Sequence, residues 1–483
     1  MGDNLKQKTL NALTWTTVDR FGQQAVQFLI SIILARLLSP DDYGLLGMVM
    51  IFSSLSFVLI ESGFGQALIR KKNTSEVDFN TIYYFNIIAS LLLYFILFFS
   101  APFIAIYFNQ PQLIAIGRVI FIALLFNAFY LVPFTKLVKE MDFKSVAKVN
   151  IIATVLSGSS GVTFAFLHYG VWALVIQQVS FQFFRMIAYH FIVKWRPKLL
   201  FSFKVIREFW SFSIHILGTS LLNVIFNNIY ILILGKFYQK RDVGYYTQAN
   251  KLSETFNFSF QQILLGGTYS MFSQIQDDDD RFRRILREIS KKASIISIPV
   301  MFVFIAVAKP FIFVLLSAKW LPSAPYFQLL CIASLFTPFY SLNISALNAR
   351  GFSNKTFLIE IIKKGLILIS VLVSFNFGVI TMLWGYAITC FISYLISVVY
   401  IKKNIQHYIK NQITDLKSGL LIGSLIAMLA FSLSFFITNN YILLFSQLIL
   451  IVGIYILAIK KIQPQLYNQV LGFFVQKIEA LKK

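Results

Sequence analysis

The sequence predicts an all-α, polytopic membrane protein of about fourteen transmembrane helices, and three observations support this fold class. Of the 483 residues, 57% are hydrophobic and only 13% are charged, whereas about a quarter of the residues in a soluble domain carry charge. The apolar residues come in blocks of about 20, the length at which an α-helix crosses a hydrocarbon core of about 30 Å. The alternating segments of about 10 residues that are typical of a transmembrane barrel do not occur.

The apolar blocks, taken in order, give fourteen predicted spans separated by short charged or Pro/Gly-bearing links. They are 12–35, 43–64, 81–106, 113–135, 149–168, 171–193, 210–234, 246–271, 293–316, 324–347, 357–377, 379–401, 419–437 and 441–460. The segment before the first span is polar and has no small-residue cleavage site near it. We therefore expect a retained first helix rather than a removed signal peptide.

The distribution of basic residues predicts the orientation. Most of the 43 Lys and Arg residues fall on one side of the predicted spans, in links such as 70–72, 136–148, 194–207 and 281–292. Basic links face the cytoplasm, so both the N-terminus and the C-terminus are predicted to be cytoplasmic. The net charge of +23 then reflects attraction to anionic lipid headgroups, and we expect no nucleic-acid partner.

The second half of the chain repeats the first. Asp42-Tyr-Gly44 lies 200 residues before Asp242-Val-Gly244, and both follow a predicted helix. Residues 122–130 and 332–340 share six identities in nine positions. Six spans per half insert both halves with the same orientation, and parallel repeats of this kind hold substrate between the halves and work by alternating access. The predicted domains are an N-lobe at 1–200, a C-lobe at 201–410, and two additional helices with a basic cytoplasmic tail at 411–483.

Polar residues recur three or four positions apart on five predicted spans drawn from both halves, which places them on one face of each helix. Such faces line a hydrated cavity or form hydrogen bonds between helices, and five together favour a cavity. The amide side chains among these polar residues are candidates for contact with a polar substrate. They are Gln23, Gln27, Gln178, Gln182, Asn223 and Asn227.

Charged residues inside spans are costly and often functional. Guanidinium and ammonium groups bind phosphate, so the candidates for binding an anionic group are Arg118, Arg185, Arg20 and Lys251. For the first two, carbonyl contacts or snorkelling to the interface are the alternatives. The candidates for gating or ion coupling are Glu61, Glu254 and Asp19. Two neutralising pairs are also predicted: Lys251 with Glu254, which is one turn away, and Arg20 with Glu61.

Sequence signatures of catalysis are missing. The chain has no phosphate-binding loop, dinucleotide fingerprint, nucleophile motif or metal-ligand cluster. We therefore predict no catalytic residue, no metal site and no cofactor, and a transporter rather than an enzyme. Transport would be driven by an ion gradient, by disposal of the substrate on the far side, or not driven at all.

Several motifs resemble those of polysaccharide transporters. They are Leu34–Leu46 (LARLLSPDDYGLL), Glu61–Ile69 (ESGFGQALI), Gly170–Leu174 (GVWAL), Gly235–Tyr238 (GKFY) and Lys319–Pro322 (KWLP). Along nearly its whole length the chain resembles the Wzx-type lipopolysaccharide and exopolysaccharide exporters of the MOP flippase superfamily. The resemblance implies two six-helix lobes, two extra C-terminal helices, and flipping of an undecaprenyl-pyrophosphate-linked oligosaccharide from the cytoplasmic to the periplasmic leaflet of the bacterial inner membrane. In that role the four cationic candidates would meet the pyrophosphate, and the six amide candidates would bind sugar hydroxyls. The implied partners are this substrate, membrane lipids, H⁺ or Na⁺ as coupling ion, and glycan polymerase machinery.

Three other functions compete with this one. A multidrug extruder of the same superfamily would carry unpaired carboxylates in its cavity, whereas the charge without an obvious partner here is positive. A membrane glycan polymerase or ligase would carry a large external loop, whereas the links here are short. A passive lipid scramblase differs only in its energetics.

Overall fold

The computed structural model describes residues 2–61, 63–265, 267–462 and 464, and the regular structure in these ranges is helical. The chain groups into two compact units, Met1–Thr247 and Gln248–Lys483. The predicted lobe boundaries at 200/201 and 410/411 stay a prediction, and most of the predicted basic tail lies outside the described residues.

The first unit begins with a 36-residue helix and continues with helices joined by short links. Its helices are α1 (Gly2–Leu37), α2 (Pro40–Glu61), α3 (Phe64–Arg70), α4 (Glu76–Phe108), α5 (Leu113–Ile120), α6 (Ile122–Lys139), α7 (Phe143–Phe166), α8 (Val171–Ile192) and α9 (Phe203–Phe237). The next helix, α10 (Lys240–Leu265), begins in the first unit and ends in the second.

The second unit continues with eight further helices. They are α11 (Thr268–Gln274), α12 (Asp279–Leu316), α13 (Ala324–Ser334), α14 (Thr337–Ala349), α15 (Ser353–Ser374), α16 (Val379–Ile405), α17 (Ile409–Ser432) and α18 (Asn440–Ile462). In this unit α12 packs closely along α17, because Gly419 on α17 brings the two backbones together at Ser294.

The order of helices agrees with the predicted repeat. In both α1–α8 and α9–α16, two long helices precede a short one, a very long one, a broken pair and two further long helices. The turns before α2 and α10 also match. The backbone N–H of Ser39 donates to the Asp42 carboxylate at 2.9 Å, and that of Gln239 donates to the Asp242 carboxylate at 3.2 Å. Each Asp thus accepts a hydrogen bond from the backbone of the residue three positions before it.

Eleven helical segments in the described part of the chain are long and apolar enough to cross a membrane, and three of them combine two consecutive helices: α2 with α3, α5 with α6, and α13 with α14. The other three predicted spans, 12–35, 246–271 and 357–377, correspond to α1, α10 and α15. These three carry many polar side chains; α15, for example, contains Glu360, Lys363 and Lys364. Their polarity separates them from the apolar helices, and the predicted count of fourteen is consistent with the helices observed.

Close helix packing in the first unit depends on small residues. A Cβ at Gly158 of α7 would lie 2.0 Å from the Ile30 side chain of α1, and one at Gly161 would lie 2.9 Å from Gln177 of α8. Lipid tails are as apolar as the helices, so association in a membrane relies on close packing of this kind. The two glycines therefore hold α7 between α1 and α8.

Lys71, just after α3, ties α4 to α9. Its ammonium group lies 3.1 Å from the Asp78 carboxylate and 3.2 Å from that of Glu208. Burial lowers the pKa of Lys71, but its hydrogen bonds to both carboxylates outweigh this and raise the pKa above its ordinary value. Lys71 is therefore charged at physiological pH and holds the two helices together at this end.

Candidate functional site

The polar groups of the first unit meet around Arg185 on α8. Its Nη1 donates a hydrogen bond to the Tyr130 hydroxyl on α6 at 2.7 Å, and the guanidinium lies 4.5 Å from the centroid of the same ring. The rings of Phe181 and Tyr189 lie 5.4 and 5.9 Å away. A cation held over desolvated rings is stabilised by about 2 kcal/mol, so these rings hold the Arg185 side chain in its position.

Tyr130 is the centre of the hydrogen bonds around Arg185. Its hydroxyl accepts from Arg185 and from Asn127 Nδ2 at 2.8 Å, and it donates to Gln182 Oε1 at 2.9 Å. A hydroxyl has one donor and two acceptor sites, so all three are filled. The tyrosine therefore fixes the guanidinium against both α6 and α8.

Arg185 keeps unused hydrogen-bonding capacity. Its Nε is buried and has no hydrogen-bond partner among the residues that the structure describes. A guanidinium has five N–H donors in a planar fork that matches phosphate oxygens. The arrangement thus presents a fixed cation with a spare donor, and its contact with phosphate stays a prediction.

Glu61, at the C-terminal end of α2, is a carboxylate whose charge interacts with this cation, although the two form no ion pair within 4 Å in the described part of the chain. Arg185 and Asn127 are the side chains that act on it, and the Glu61 side chain is accessible to solvent. The predicted partner was Arg20. The correction follows from the packing of α2 against α6 and α8, which brings the end of α2 to the Arg185 cluster.

A second carboxylate, Asp19 on α1, joins the same network from the other side. It accepts from Gln23 Nε2 at 2.6 Å and from Asn150 Nδ2 of α7 at 3.2 and 3.3 Å. The Tyr189 hydroxyl donates to Asn150 Oδ1 at 3.5 Å, and the Tyr189 ring packs under Arg185. We define the Arg185 cluster by these contacts; its members are Asp19, Gln23, Glu61, Asn127, Tyr130, Asn150, Gln182, Arg185 and Tyr189.

The Arg185 cluster contains five of the predicted site residues: Asp19, Gln23, Glu61, Gln182 and Arg185. Arg118 has different contacts, because its Nε donates to the Phe98 carbonyl of α4 at 3.4 Å and its guanidinium lies 4.2 Å from the Phe98 ring. This is the carbonyl contact that the sequence left open. The Arg20, Gln27, Asn223 and Asn227 side chains are exposed and Gln178 is half-buried, and their contacts with substrate stay a prediction.

In the second unit, Tyr340 is the repeat equivalent of Tyr130 and also carries a cation. The Lys363 ammonium lies 4.3 Å from the Tyr340 ring centroid, and the Tyr340 hydroxyl donates to Glu360 Oε1 at 2.6 Å. Sequence reasoning missed Glu360 and Lys363. The signal was available, since both are ionisable residues within the predicted span 357–377.

The two charged residues predicted on α10 do not form a pair. In the ranges that the structure describes, no ion pair joins Lys251 to Glu254. Instead, Glu254 accepts a hydrogen bond from Asn250 Nδ2 at 3.0 Å, and both charged side chains are exposed. The predicted neutralisation within the helix is therefore wrong, and one turn of spacing did not suffice to bring the charges together.

Comparisons with known proteins identify the family. The profile of the family described as "Polysaccharide biosynthesis protein" matches residues 33–325. A relative in Bacillus subtilis (strain 168), the teichuronic acid biosynthesis protein TuaB, is 23% identical over 89% of this chain and 90% of its own length. The succinoglycan biosynthesis transport protein ExoT of Rhizobium meliloti (strain 1021) is 23% identical over 69% of this chain and 68% of its own.

Among solved structures, the chain is similar to the lipid II flippase MurJ in an inward closed conformation. The TM-score is 0.75 at 15% sequence identity, and the match covers 94% of this chain and 99% of that one. At this identity the likeness concerns the fold, and it confirms the predicted class of multi-span helical membrane protein.

Proposed function

This chain is a member of the polysaccharide biosynthesis protein family, as its motifs predicted, and we propose that it flips a lipid-linked oligosaccharide across the membrane. The substrate is an undecaprenyl-pyrophosphate carrying a repeat unit of O-antigen, capsule or exopolysaccharide. It moves from the cytoplasmic to the periplasmic leaflet of a bacterial inner membrane by alternating access, and both chain termini lie in the cytoplasm. The transport role named for the ExoT relative and the polar groups carried on apolar helices support the proposal.

The observation that carries this proposal is Arg185. Its guanidinium is fixed on Tyr130 in an apolar helix bundle, and its buried Nε has no partner in the described part of the chain. Such a group suits a ligand with phosphate oxygens. Charge-assisted hydrogen bonds contribute about 1.5–3 kcal/mol each. The Gln182 and Gln23 amides of the same cluster are available to sugar hydroxyls.

Glu61 supplies a route to ion coupling. In this mechanism Glu61 is the counter-ion of Arg185 before substrate binds, because the charges of the two side chains interact. A pyrophosphate that binds Arg185 displaces this carboxylate, and a carboxylate that loses its cation in a bundle of low dielectric takes up H⁺ or Na⁺. Substrate release would then return Glu61 to Arg185. The released glycolipid would pass to glycan polymerase machinery.

Extrusion of organic cations is the competing function, and the contacts weigh against it. The carboxylates of the Arg185 cluster already have partners: Asp19 accepts from Gln23 and Asn150, and Glu61 faces Arg185. A cationic drug would have to displace these groups while lying beside a fixed guanidinium.

Depletion of the protein tests the proposal. The lipid-linked oligosaccharide is quantified by mass spectrometry together with surface glycan and the uptake of cationic dyes. We expect intact intermediate to accumulate while surface glycan falls and dye levels stay unchanged. Unchanged glycan with accumulating dye would support drug extrusion instead.

A further inference from the structure

A basic groove lies at one end of the second unit, away from the residues discussed so far. It has a volume of about 700 Å³ and is lined by the first turns of α12 and by the link between α16 and α17. Its basic residues are Arg283, Arg284, Arg287, Lys291 and His407. We refer to it as the α12–α17 groove.

The acidic residues of this groove already have partners. Asp280 bonds Arg283 at 2.7 Å, and Glu288 bonds Lys292 at 2.6 Å. Arg284 is exposed and has no ion pair within the described ranges. The Glu288 carboxylate lies within electrostatic range of Arg284, but the four Arg and Lys side chains that line the groove outnumber its two carboxylates, Asp280 and Glu288.

A buried carboxylate beneath the groove holds more cations than it can neutralise. Asp415 is fully buried, and its oxygens lie 3.4 Å from Arg287 Nε and 3.9 Å from Lys291 Nζ. His407 is also buried, with its Nε2 at 3.4 Å from Asp415. The side chains of Arg287 and Lys291 remain 36% and 45% exposed. One carboxylate thus positions two permanent cations whose other donors are open to the groove.

The groove lies where the two helices pass from charged to apolar sequence. A Cβ at Gly419 would contact the backbone of Ser294. Beyond this level α17 carries no charged residue, and α12 carries none until Lys309. At 1.5 Å per residue, Lys291 is about 5 Å and Arg287 about 11 Å outside the contact. The lipid headgroup layer extends about 5–8 Å beyond the hydrocarbon core, so the basic side chains of the groove reach it.

We propose that the α12–α17 groove binds the phosphodiester of an anionic membrane lipid, phosphatidylglycerol or cardiolipin. The donors that face it are Arg284, Lys291 and the outer edge of Arg287. Basic pockets between helices at a membrane surface recognise such headgroups, and the fixed positions of Arg287 and Lys291 reduce the entropy lost on binding. The site is separate from the Arg185 cluster and does not depend on the transported substrate.

Native mass spectrometry of the purified full-length protein tests this site, with phosphatidylglycerol or phosphatidylcholine added in neutral detergent. The test variant carries Arg284→Gln and Lys291→Gln. The matched control carries Lys402→Gln and Lys403→Gln, which remove the same charge from exposed positions at the end of α16. A second variant, Arg284→Lys with Lys291→Arg, keeps the charge of the groove.

We expect the wild type to retain phosphatidylglycerol in preference to phosphatidylcholine. Each lost charge weakens retention about 5-fold, hence about 25-fold for the double variant, from ~1 kcal/mol per basic group near an anionic surface. The control and the charge-preserving variant should retain the lipid as the wild type does. Equal retention of both lipids by the wild type, or undiminished selectivity in the double variant, would overturn the proposal. Displacement of the lipid by an equimolar amount of inorganic phosphate would overturn the lipid assignment and point to a soluble phosphate ligand.

Discussion

Replacing Gly44 or Gly244 with alanine should destabilise the first unit strongly. These two glycines occupy equivalent positions in the repeat and meet each other. A Cβ on Gly44 would lie 1.8 Å from the carbonyl oxygen of Lys240, and a Cβ on Gly244 would lie 1.9 Å from that of Pro40. In both cases the obstacle is backbone, so no side-chain rotation relieves the clash.

The size of the effect follows from the distances. A carbon normally approaches a carbonyl oxygen to about 3.3 Å, so either substitution must push the two turns apart by about 1.5 Å. Overpacking costs about 1–3 kcal/mol where neighbouring side chains can adjust. Because backbone atoms cannot move aside in this way, we expect these two variants to lose stability at or above the upper end of that range. For a unit of this size, 3 kcal/mol lowers the melting temperature by about 6 °C or more.

The assay is thermal unfolding of the purified protein in detergent, followed by size-exclusion elution after heating. Gly218→Ala is the matched control, because Gly218 also lies in a helix of the first unit and a Cβ there would meet nothing within 4 Å. The control should be neutral or stabilising by up to ~1 kcal/mol. A Gly44→Ala or Gly244→Ala protein that melts with the control would refute the close contact between the two turns.

Two further predictions concern the polar clusters. Tyr130→Phe keeps the ring under Arg185 but removes the hydroxyl that joins Arg185 to Gln182. The loss of about 1 kcal/mol should slow glycan export about 5-fold, measured as accumulated lipid-linked oligosaccharide. Unchanged export would show that the hydroxyl is dispensable. Asp415→Asn leaves Arg287 and Lys291 without their shared carboxylate. Because both cations are partly exposed, we expect a loss of only about 1–2 kcal/mol in unfolding free energy, measured by thermal unfolding. A melting temperature equal to that of an exposed control, Glu288→Gln, would contradict the role of Asp415.

Much of the fold could be predicted because the membrane imposes a length and a polarity on each helix. The blocks of apolar residues predicted where the helices lie, and the matched turns at Asp42 and Asp242 predicted the repeat. The predicted spans 113–135 and 324–347 each consist of two helices, since breaks at Phe121 and at Leu335–Phe336 interrupt them. Hydropathy does not register these breaks, because both lie inside apolar blocks. The second break does have a sequence signal, since Pro338 stands in the first turn of α14.

The sequence predicts which site residues lie together when they share one face of a helix. It does not predict which residues of different helices meet, because that depends on how the helices pack. Gln182 and Arg185 lie one turn apart on α8, so their neighbourhood followed from helical spacing. Tyr130 and Asn150 are ordinary residues of apolar helices until α6 and α7 pack against α8. The choice of Arg185 rather than Arg20 as the cation facing Glu61 also depends on which helices are neighbours, which charge and spacing do not specify.

The most direct test of the proposed function is the export activity of Arg185→Ala compared with Arg118→Ala in cells lacking the wild-type protein. Lipid-linked oligosaccharide is measured by mass spectrometry, and the amount of each variant in the membrane is measured in parallel. Loss of about 2 kcal/mol of phosphate contact predicts export reduced about 30-fold by Arg185→Ala. Arg118→Ala should export normally, because Arg118 contacts the Phe98 carbonyl and ring. Full export by a normally inserted Arg185→Ala protein would contradict the assignment of Arg185 to the pyrophosphate.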